Sequence, residues 1–444
     1  MNVPHWYECT RGRESRAPFT GTLYRCQGCD GLLGVEHDLE TLMTRPAAVW
    51  RNLFDDRAVS SEWPYQSGVW SKHEWVHPRI EVENIVSLGE GNSPLVQSTQ
   101  LAQHLGVYRL WIKRIGSGPT GSFQDLGMTV LVSAVNQMIA AGEPIRALAS
   151  TGNTASSLAA YCAAAEIPAV VLLPVGKSSA AQLAQLFACG ALVAVLEADL
   201  NGCARVAHQI AADHSIRIVN SMNSFVIQGQ KTVAVELVQQ LRWSVPDWII
   251  IPSGNLGNVT ALGRGFLMMK ELGIIDHLPR IVCAQAKNAN TKLAGYQLVY
   301  SNIEIPVTQE ALSSVFQMGE LVSPEREEKI LCAFDGFVEQ MSEADLAPMA
   351  ALADRAGFDC CSRIQIALAA LSGLLDHGKI YPTDRVVVVT HGSEPKSFRF
   401  QTSYEEQSLD EAQPCLANGV VKLPADSDVV SDWIVEALDK GNTR

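Results

Sequence analysis

The sequence predicts an α/β fold of two doubly wound domains with parallel sheets, and three observations lead there. Short apolar, β-branched runs recur at 110–114, 146–149, 169–173, 192–196, 216–219, 248–251, 281–284 and 385–389. Stretches of helical length and composition lie between most of them, for example at 155–165, 180–188 and 232–241. Many of the 33 glycines fall in short clusters where a strand-like run gives way to a helix-like one. Strands that are apolar throughout are buried on both faces, and helical crossovers supply that cover in a parallel sheet. Ligands of such sheets bind beyond the carboxyl ends of the strands.

Three regions fall outside this rhythm. Residues 1–40 hold Cys9, Cys26 and Cys29 with few apolar runs and read as a small degenerate ribbon-like segment. Residues 41–82, rich in tryptophan and proline, read as a wrapping connector. Residues 401–444 open with a polar stretch and then offer one amphipathic helix at 428–438.

At 444 residues the chain is long enough for two domains, and 47% hydrophobic with 18% charged residues is an ordinary globular composition. The net charge of −13 argues against nucleic acid or an anionic membrane as partner, since both demand a basic surface. The most apolar stretch, 155–175, is broken by Glu166 and Pro168 and reads as a helix followed by a buried strand, not a membrane span. The first residues lack the apolar core of a secretion signal, and eleven scattered cysteines give no disulfide framework. Reduced thiols in a cytoplasm are the expectation.

Two glycine-containing turns stand out, each between a strand and a helix. One is Ser150-Thr151-Gly152-Asn153-Thr154, the other Ser253-Gly254-Asn255-Leu256-Gly257-Asn258. Backbone N–H groups at a helix N-terminus, with hydroxyls or amides beside them, suit a carboxylate or phosphate. Each alone reads first as plain helix capping. Two in one sheet-based protein bring an anionic ligand into contention.

Further segments then carry a family resemblance. Leu88-Gly89-Glu90-Gly91-Asn92-Ser93-Pro94-Leu95 and Thr120-Gly121-Ser122-Phe123-Gln124-Asp125-Leu126-Gly127-Met128 resemble two segments of the plant-type threonine synthases. Asn220-Ser221-Met222-Asn223, Gly229-Gln230-Lys231-Thr232, both turns and Met318-Gly319-Glu320-Leu321-Val322-Ser323 follow in the family's order. The likeness spans roughly residues 20–395. It implies a fold type II pyridoxal-phosphate (PLP) enzyme, with a large domain of residues 83–125 and 223–400 and a small one of residues 126–222. It also implies a homodimer and a small amino-acid substrate bearing phosphate, O-phosphohomoserine in the family. Asn153 is implied to bond the cofactor ring's 3-oxygen, Gly254, Asn255, Leu256, Gly257 and Asn258 to cradle its phosphate, and Thr390 to face the pyridine nitrogen. Ser122, Ser150, Thr151 and Thr154 are implied to hold the substrate carboxylate and its surroundings, with Asn220 and Ser221 near the distal phosphate.

The chain departs from the family where it matters most. The family's Schiff-base lysine is replaced by Gln124, and a carboxamide, its nitrogen lone pair delocalised, neither bonds PLP covalently nor shuttles protons as an amine does. The arginine that would meet the substrate phosphate is Val226, and an altered late segment reads Cys361-Ser362-Arg363-Ile364, where Arg363 offers a new anion contact. Lys113 and Lys396 read as surface or anion-contacting residues and Lys231 as a packing or hydrogen-bonding one. Any of the three is a weak candidate to replace the lost amine. Of the adjacent Cys360 and Cys361, at least one is read as structurally buried.

Three readings stay open: an enzyme that binds PLP noncovalently and works without the usual linkage, a non-catalytic protein that senses ligand or pairs with an active homologue, and a threonine synthase with an engineered lysine substitution. Zinc is not expected, because Cys9, Cys26 and Cys29 fall one ligand short of a structural site unless His5 or His37 completes it.

Overall fold

The structure is a computed structural model that describes residues 3–9, 26, 28–29, 31–151, 154–176, 180–213, 215–220, 223–252, 257–286, 324–358, 363–392 and 421–441. Two sheets organise it. The larger has six strands in the order β11-β10-β9-β12-β4-β3, with β3 Leu95–Gln97, β4 Arg109–Lys113, β9 Trp248–Pro252, β10 Arg280–Ala286, β11 Phe337–Met341 and β12 Arg385–Val389. All its pairings are parallel except β3 on β4. The second sheet has the order β13-β7-β6-β5-β8 and is parallel throughout, with β5 Ala147–Thr151, β6 Ala169–Pro174, β7 Leu192–Leu196, β8 Ile216–Val219 and β13 Val421–Leu423. The parallel α/β architecture expected from the apolar runs is therefore present.

The central strand β12 shows why these runs become inner strands. Its residues Val386 to Val389 are fully buried between β4 and β9, and each such side chain contributes about 1.5–3 kcal/mol on leaving water. Helix α5, Asp125–Ala140, is equally enclosed, with every residue from Asp125 to Val135 buried. It crosses α9, Ser224–Gln230, so closely that a Cβ on Gly229 would stand 1.8 Å from the Leu126 carbonyl oxygen. Only glycine permits that approach.

The flanking regions are richer than expected. The connector is helical, with α1 Leu39–Met43, α2 Ala47–Ala58 and α3 His73–Val76, and it buries Trp50, Phe54 and Trp75 in one aromatic cluster. The C-terminal stretch carries its helix at Ser427–Gly441 and in addition lays β13 beside β7, closing an edge of the second sheet. The N-terminal stretch forms an antiparallel ribbon, β1 His5–Cys9 with β2 Leu33–His37. No described helix is long and apolar enough to cross a membrane.

Lys113 corrects an expectation. It is fully buried, and its Nζ donates to Glu236 Oε2 at 2.7 Å, Ser93 O at 2.6 Å and Gln240 Oε1 at 2.9 Å. A lysine read as a surface or anion-contacting residue is thus not at the surface but the cationic centre of a buried hub, where the anion it meets is Glu236, and its three N–H bonds are all committed.

Lys72 lies in the same hub, fully buried and donating to Gly68 O and Ser71 Oγ, each at 2.9 Å. Burial lowers its pKa from 10.5 to about 8, with Glu236 pulling the other way. The unfolded chain keeps this proton to a higher pH than the native one, so the unfolded state binds more protons between pH 8 and 10.5 and stability rises with pH there. Relative to Lys72→Met, the wild type is expected to gain about 3 kcal/mol across that window in urea unfolding. A difference independent of pH would show that Lys72 is not depressed.

Candidate active site

The residues that resemble the family's catalytic segment lie where the chain leaves β4 and enters α5. Thr120 and Asp125 lock this loop. The Asp125 carboxylate accepts from Thr120 N at 3.1 Å, from Thr120 Oγ1 at 2.5 Å and from Ser157 Oγ at 2.6 Å. Burial raises the Asp125 pKa, and these hydrogen bonds oppose the shift. Ser157 sits on α6, Ala155–Ala164, directly after the first glycine turn, so the lock joins both segments.

The loop is also strapped to the carboxyl end of β12. Phe123 N donates to His391 O at 3.1 Å, and Ser122 bridges Gly392. A Cβ on Gly392 would meet the Gly121 carbonyl oxygen at 2.5 Å, so the two chains touch backbone to backbone. Gln124, partly buried, follows at once, its N–H donating to Ser122 Oγ at 3.1 Å. Its Oε1 accepts from Gln230 Nε2 at 3.0 Å, across the close α5–α9 crossing.

Other expected residues gather around the same strand ends. Ser150 Oγ, near the end of β5, shares a hydrogen bond of 2.7 Å with Thr154 Oγ1, and Thr151, the last residue of the strand, is half-buried. Thr390 is fully buried, and its hydroxyl faces Ile115 O at 3.1 Å and Lys113 O at 3.3 Å, so turning it toward a ligand nitrogen gives up that bond. Gly257 opens α11, Gly257–Glu271, at the end of β9, and Asn258 folds its Nδ2 back onto Pro252 O at 3.0 Å. Asn220 follows β8 and accepts from Asn223 N at 3.2 Å through its carbonyl. Arg363 adopts a left-handed conformation (φ 63°) before α14, Ile364–Asp376.

The positive charge of Arg363 is felt at His391, whose carbonyl holds the loop. Burial first, then the Arg363 charge, lowers the His391 pKa to about 3, so its ring is neutral at ordinary pH. That ring lies 6.1 Å from the Phe123 ring. The sequence reading missed Gln230, His391 and the Thr120–Asp125–Ser157 lock, although Gln230 stood inside a quoted motif. Asn153, Ser221, Gly254, Asn255, Leu256, Lys396, Cys360 and Cys361 lie outside the described residues.

One departure and one of the candidate lysines find their places. Val226 is fully buried on α9, where a Cβ on Gly127 would meet its Cγ1 at 2.4 Å, so it serves the helix crossing. Lys231 is buried, donates to Gln228 Oε1, and has its pKa driven well down by burial and then by Arg264. It lines a cavity against the N-terminal ribbon together with Glu8, Cys9, Glu36, His37 and Arg264.

A family model described as pyridoxal-phosphate dependent enzyme matches residues 86–392. The chain belongs to that family. This PLP-dependent enzyme is 42% identical over 426 residues to threonine synthase 2, chloroplastic, of Arabidopsis thaliana, covering 95% of the chain and 82% of the relative. It is 33% identical over 371 residues to threonine synthase of Methanocaldococcus jannaschii, covering 83% and 88%. Among solved structures it shares its fold with PLP-bound threonine synthase from Brucella melitensis (TM-score 0.62, 15% identity, 97% and 99% covered). The Escherichia coli threonine synthase structure matches similarly (TM-score 0.60, 17% identity, 94% and 95% covered). The enzyme is threonine synthase-like, and PLP is the cofactor of its family.

Proposed function

We propose that the chain binds PLP noncovalently beside a small amino-acid substrate bearing phosphate, and runs a lyase, replacement or rearrangement reaction without a lysine linkage to the cofactor. The observation that carries this reading is Gln124 itself, held by Gln230 in the loop that leads from β4 into α5 and is strapped to the end of β12. Neither described lysine that could substitute is available: Lys113 has all three N–H bonds committed, and Lys231 faces the ribbon cavity.

The described donors suit the cofactor's phosphate end. Helix α11 begins at the end of β9 with glycine and carries no acidic residue in its first turn, so its dipole favours an anion there. Gly254, Asn255, Leu256, Gly257 and Asn258 are the residues we assign to the phosphate, Asn153 and Thr390 to the ring. When bound, PLP supplies an electron sink for charge at the substrate's α-carbon. The chain's own part is positioning. The Ser150–Thr154 turn, Ser122, Asn220 and Ser221 hold the substrate's anionic groups, Arg363 adds positive charge beside His391, and Gln124 offers hydrogen bonds where an amine would act as base. We assign the chain a homodimeric state by analogy with its family.

A second reading, a non-catalytic ligand sensor, is favoured by Val226, an apolar side chain where the family resemblance places a phosphate-binding arginine. Equilibrium dialysis against PLP, followed by borohydride reduction and peptide mapping, separates the two. About one PLP per chain is expected, with none fixed to lysine. A stoichiometric pyridoxyl-lysine peptide would overturn noncovalent binding, and absence of saturable binding would leave only the sensor reading.

A further inference from the structure

Three thiols meet at one end of the N-terminal ribbon. Cys9 is the last residue of β1, while Cys26 and Cys29 come from a turn closed by Cys26 N donating to Gly31 O at 2.7 Å. Their Sγ atoms all lie within 4.8 Å of one another, with Cys9 and Cys29 at 3.4 Å. None of the three is in a disulfide. No fourth His, Cys, Asp or Glu among the described residues joins them. His5 and His37, the two histidines the sequence offers as a fourth ligand, do not join them, because the register pairs His5 with His37 and Cys9 with Leu33, at opposite ends of the ribbon.

Convergence of three sulfurs is poorly explained by packing alone. A thiol is a weak hydrogen-bond donor and acceptor, so the cluster gains little without an ion. Metal–sulfur bonds of about 2.3 Å set sulfurs about 3.8 Å apart around a tetrahedral centre and about 4.0 Å apart in a trigonal plane. The observed spacing brackets both values. Cys9 and Cys26 are 3% and 8% exposed, which keeps competing water away.

We propose that Cys9, Cys26 and Cys29 form a three-thiolate site for one thiophilic metal ion, zinc(II) or copper(I). Soft thiolates select these ions over magnesium or calcium. Binding forms three metal–sulfur bonds and releases the three thiol protons to solvent. Copper(I) is satisfied by three sulfurs. Zinc takes a water as fourth ligand, and the cavity of about 340 Å³ that Cys9 lines gives the ion and that water a way in. The ion ties the end of β1 to the 26–31 turn and so fixes the ribbon, which α9 and α11 grip through Gln228 Nε2 and Arg264 Nη2 donating to Val35 O at 3.2 and 3.0 Å. This site is independent of how the active site is read.

The test uses the full chain, purified under reductant, stripped with chelator and titrated anaerobically with zinc or copper(I) before alkylation with N-ethylmaleimide and peptide mass mapping. One equivalent of one ion is expected to slow alkylation of all three cysteines together by about tenfold or more, while exposed Cys332 reacts as before. The same equivalent raises the melting temperature of the wild type and leaves that of Cys26→Ser unchanged. Protection by zinc or by copper identifies the ion. Failure of both ions to protect the trio, or a Cys9–Cys29 disulfide as the resting state of untreated protein, would overturn the proposal.

Discussion

Replacing Gln124 by lysine turns the purified protein yellow and lets borohydride fix PLP to residue 124 in nearly every chain. The position stands at the head of α5 in the loop strapped to β12, where the family resemblance places the Schiff-base lysine. Covalent loading goes from none to near stoichiometric. Threonine formation from O-phosphohomoserine nevertheless stays on the order of 10²-fold below the Arabidopsis relative assayed alongside, because Val226 offers no charge to the substrate phosphate and a buried ionic contact is worth about 2–5 kcal/mol. Absence of any adduct at 124 would remove this residue from the cofactor site. Full threonine synthase activity in the single variant would instead mean that the lysine alone separates this chain from its relatives, and the altered-chemistry reading would fail.

Glu236→Ala is expected to be the most destabilising single change. The carboxylate, 2% exposed as a residue, accepts from Lys113 Nζ at 2.7 Å, Asn92 N at 2.6 Å and Ser93 N at 3.1 Å. Burial pushes its pKa up, but Lys113 and Lys72 more than compensate and hold it below the usual range. Its removal strands a buried ammonium and two backbone N–H groups, a loss of about 3–5 kcal/mol for the broken ion pair alone. That is a large share of the 5–15 kcal/mol of a typical domain. Urea unfolding should show the loss, and Lys113→Met with Glu236→Leu should recover part of it, since no ammonium is then stranded at 113, while Lys72 and the Asn92 and Ser93 N–H groups still lack the carboxylate. A Glu236→Ala protein within about 1 kcal/mol of wild type would mean the hub is solvated.

The inner strands were legible because burial on both faces writes itself as an apolar run. The runs at 192–196 and 385–389 match β7 and β12 residue for residue, and the run at 216–219 matches β8 although that strand lies at a sheet edge. β3 and β13 escaped because three residues cannot establish a pattern, and β11 because Glu339 and Gln340 interrupt it. Candidate site residues could be named from the sequence where they fall in local segments, as at Gln124 and the two turns. They could not where a contact joins distant parts of the chain. Nothing local announces that Gln230 reaches Gln124 across 106 residues, or that Lys113 finds its carboxylate 123 residues away. A lysine's sequence neighbours say little about a counter-ion that only the fold delivers.

The neighbour at residue 230 is indifferent to what stands opposite it. A carboxamide presents an acceptor and a donor on the same planar group, and a half-turn exchanges them. Gln230 therefore greets an amide oxygen with its NH₂ and would greet an ammonium with its oxygen, at little cost either way. Lysine and glutamine at 124 would therefore be nearly equivalent to the surrounding scaffold, and the difference between them would fall on the chemistry.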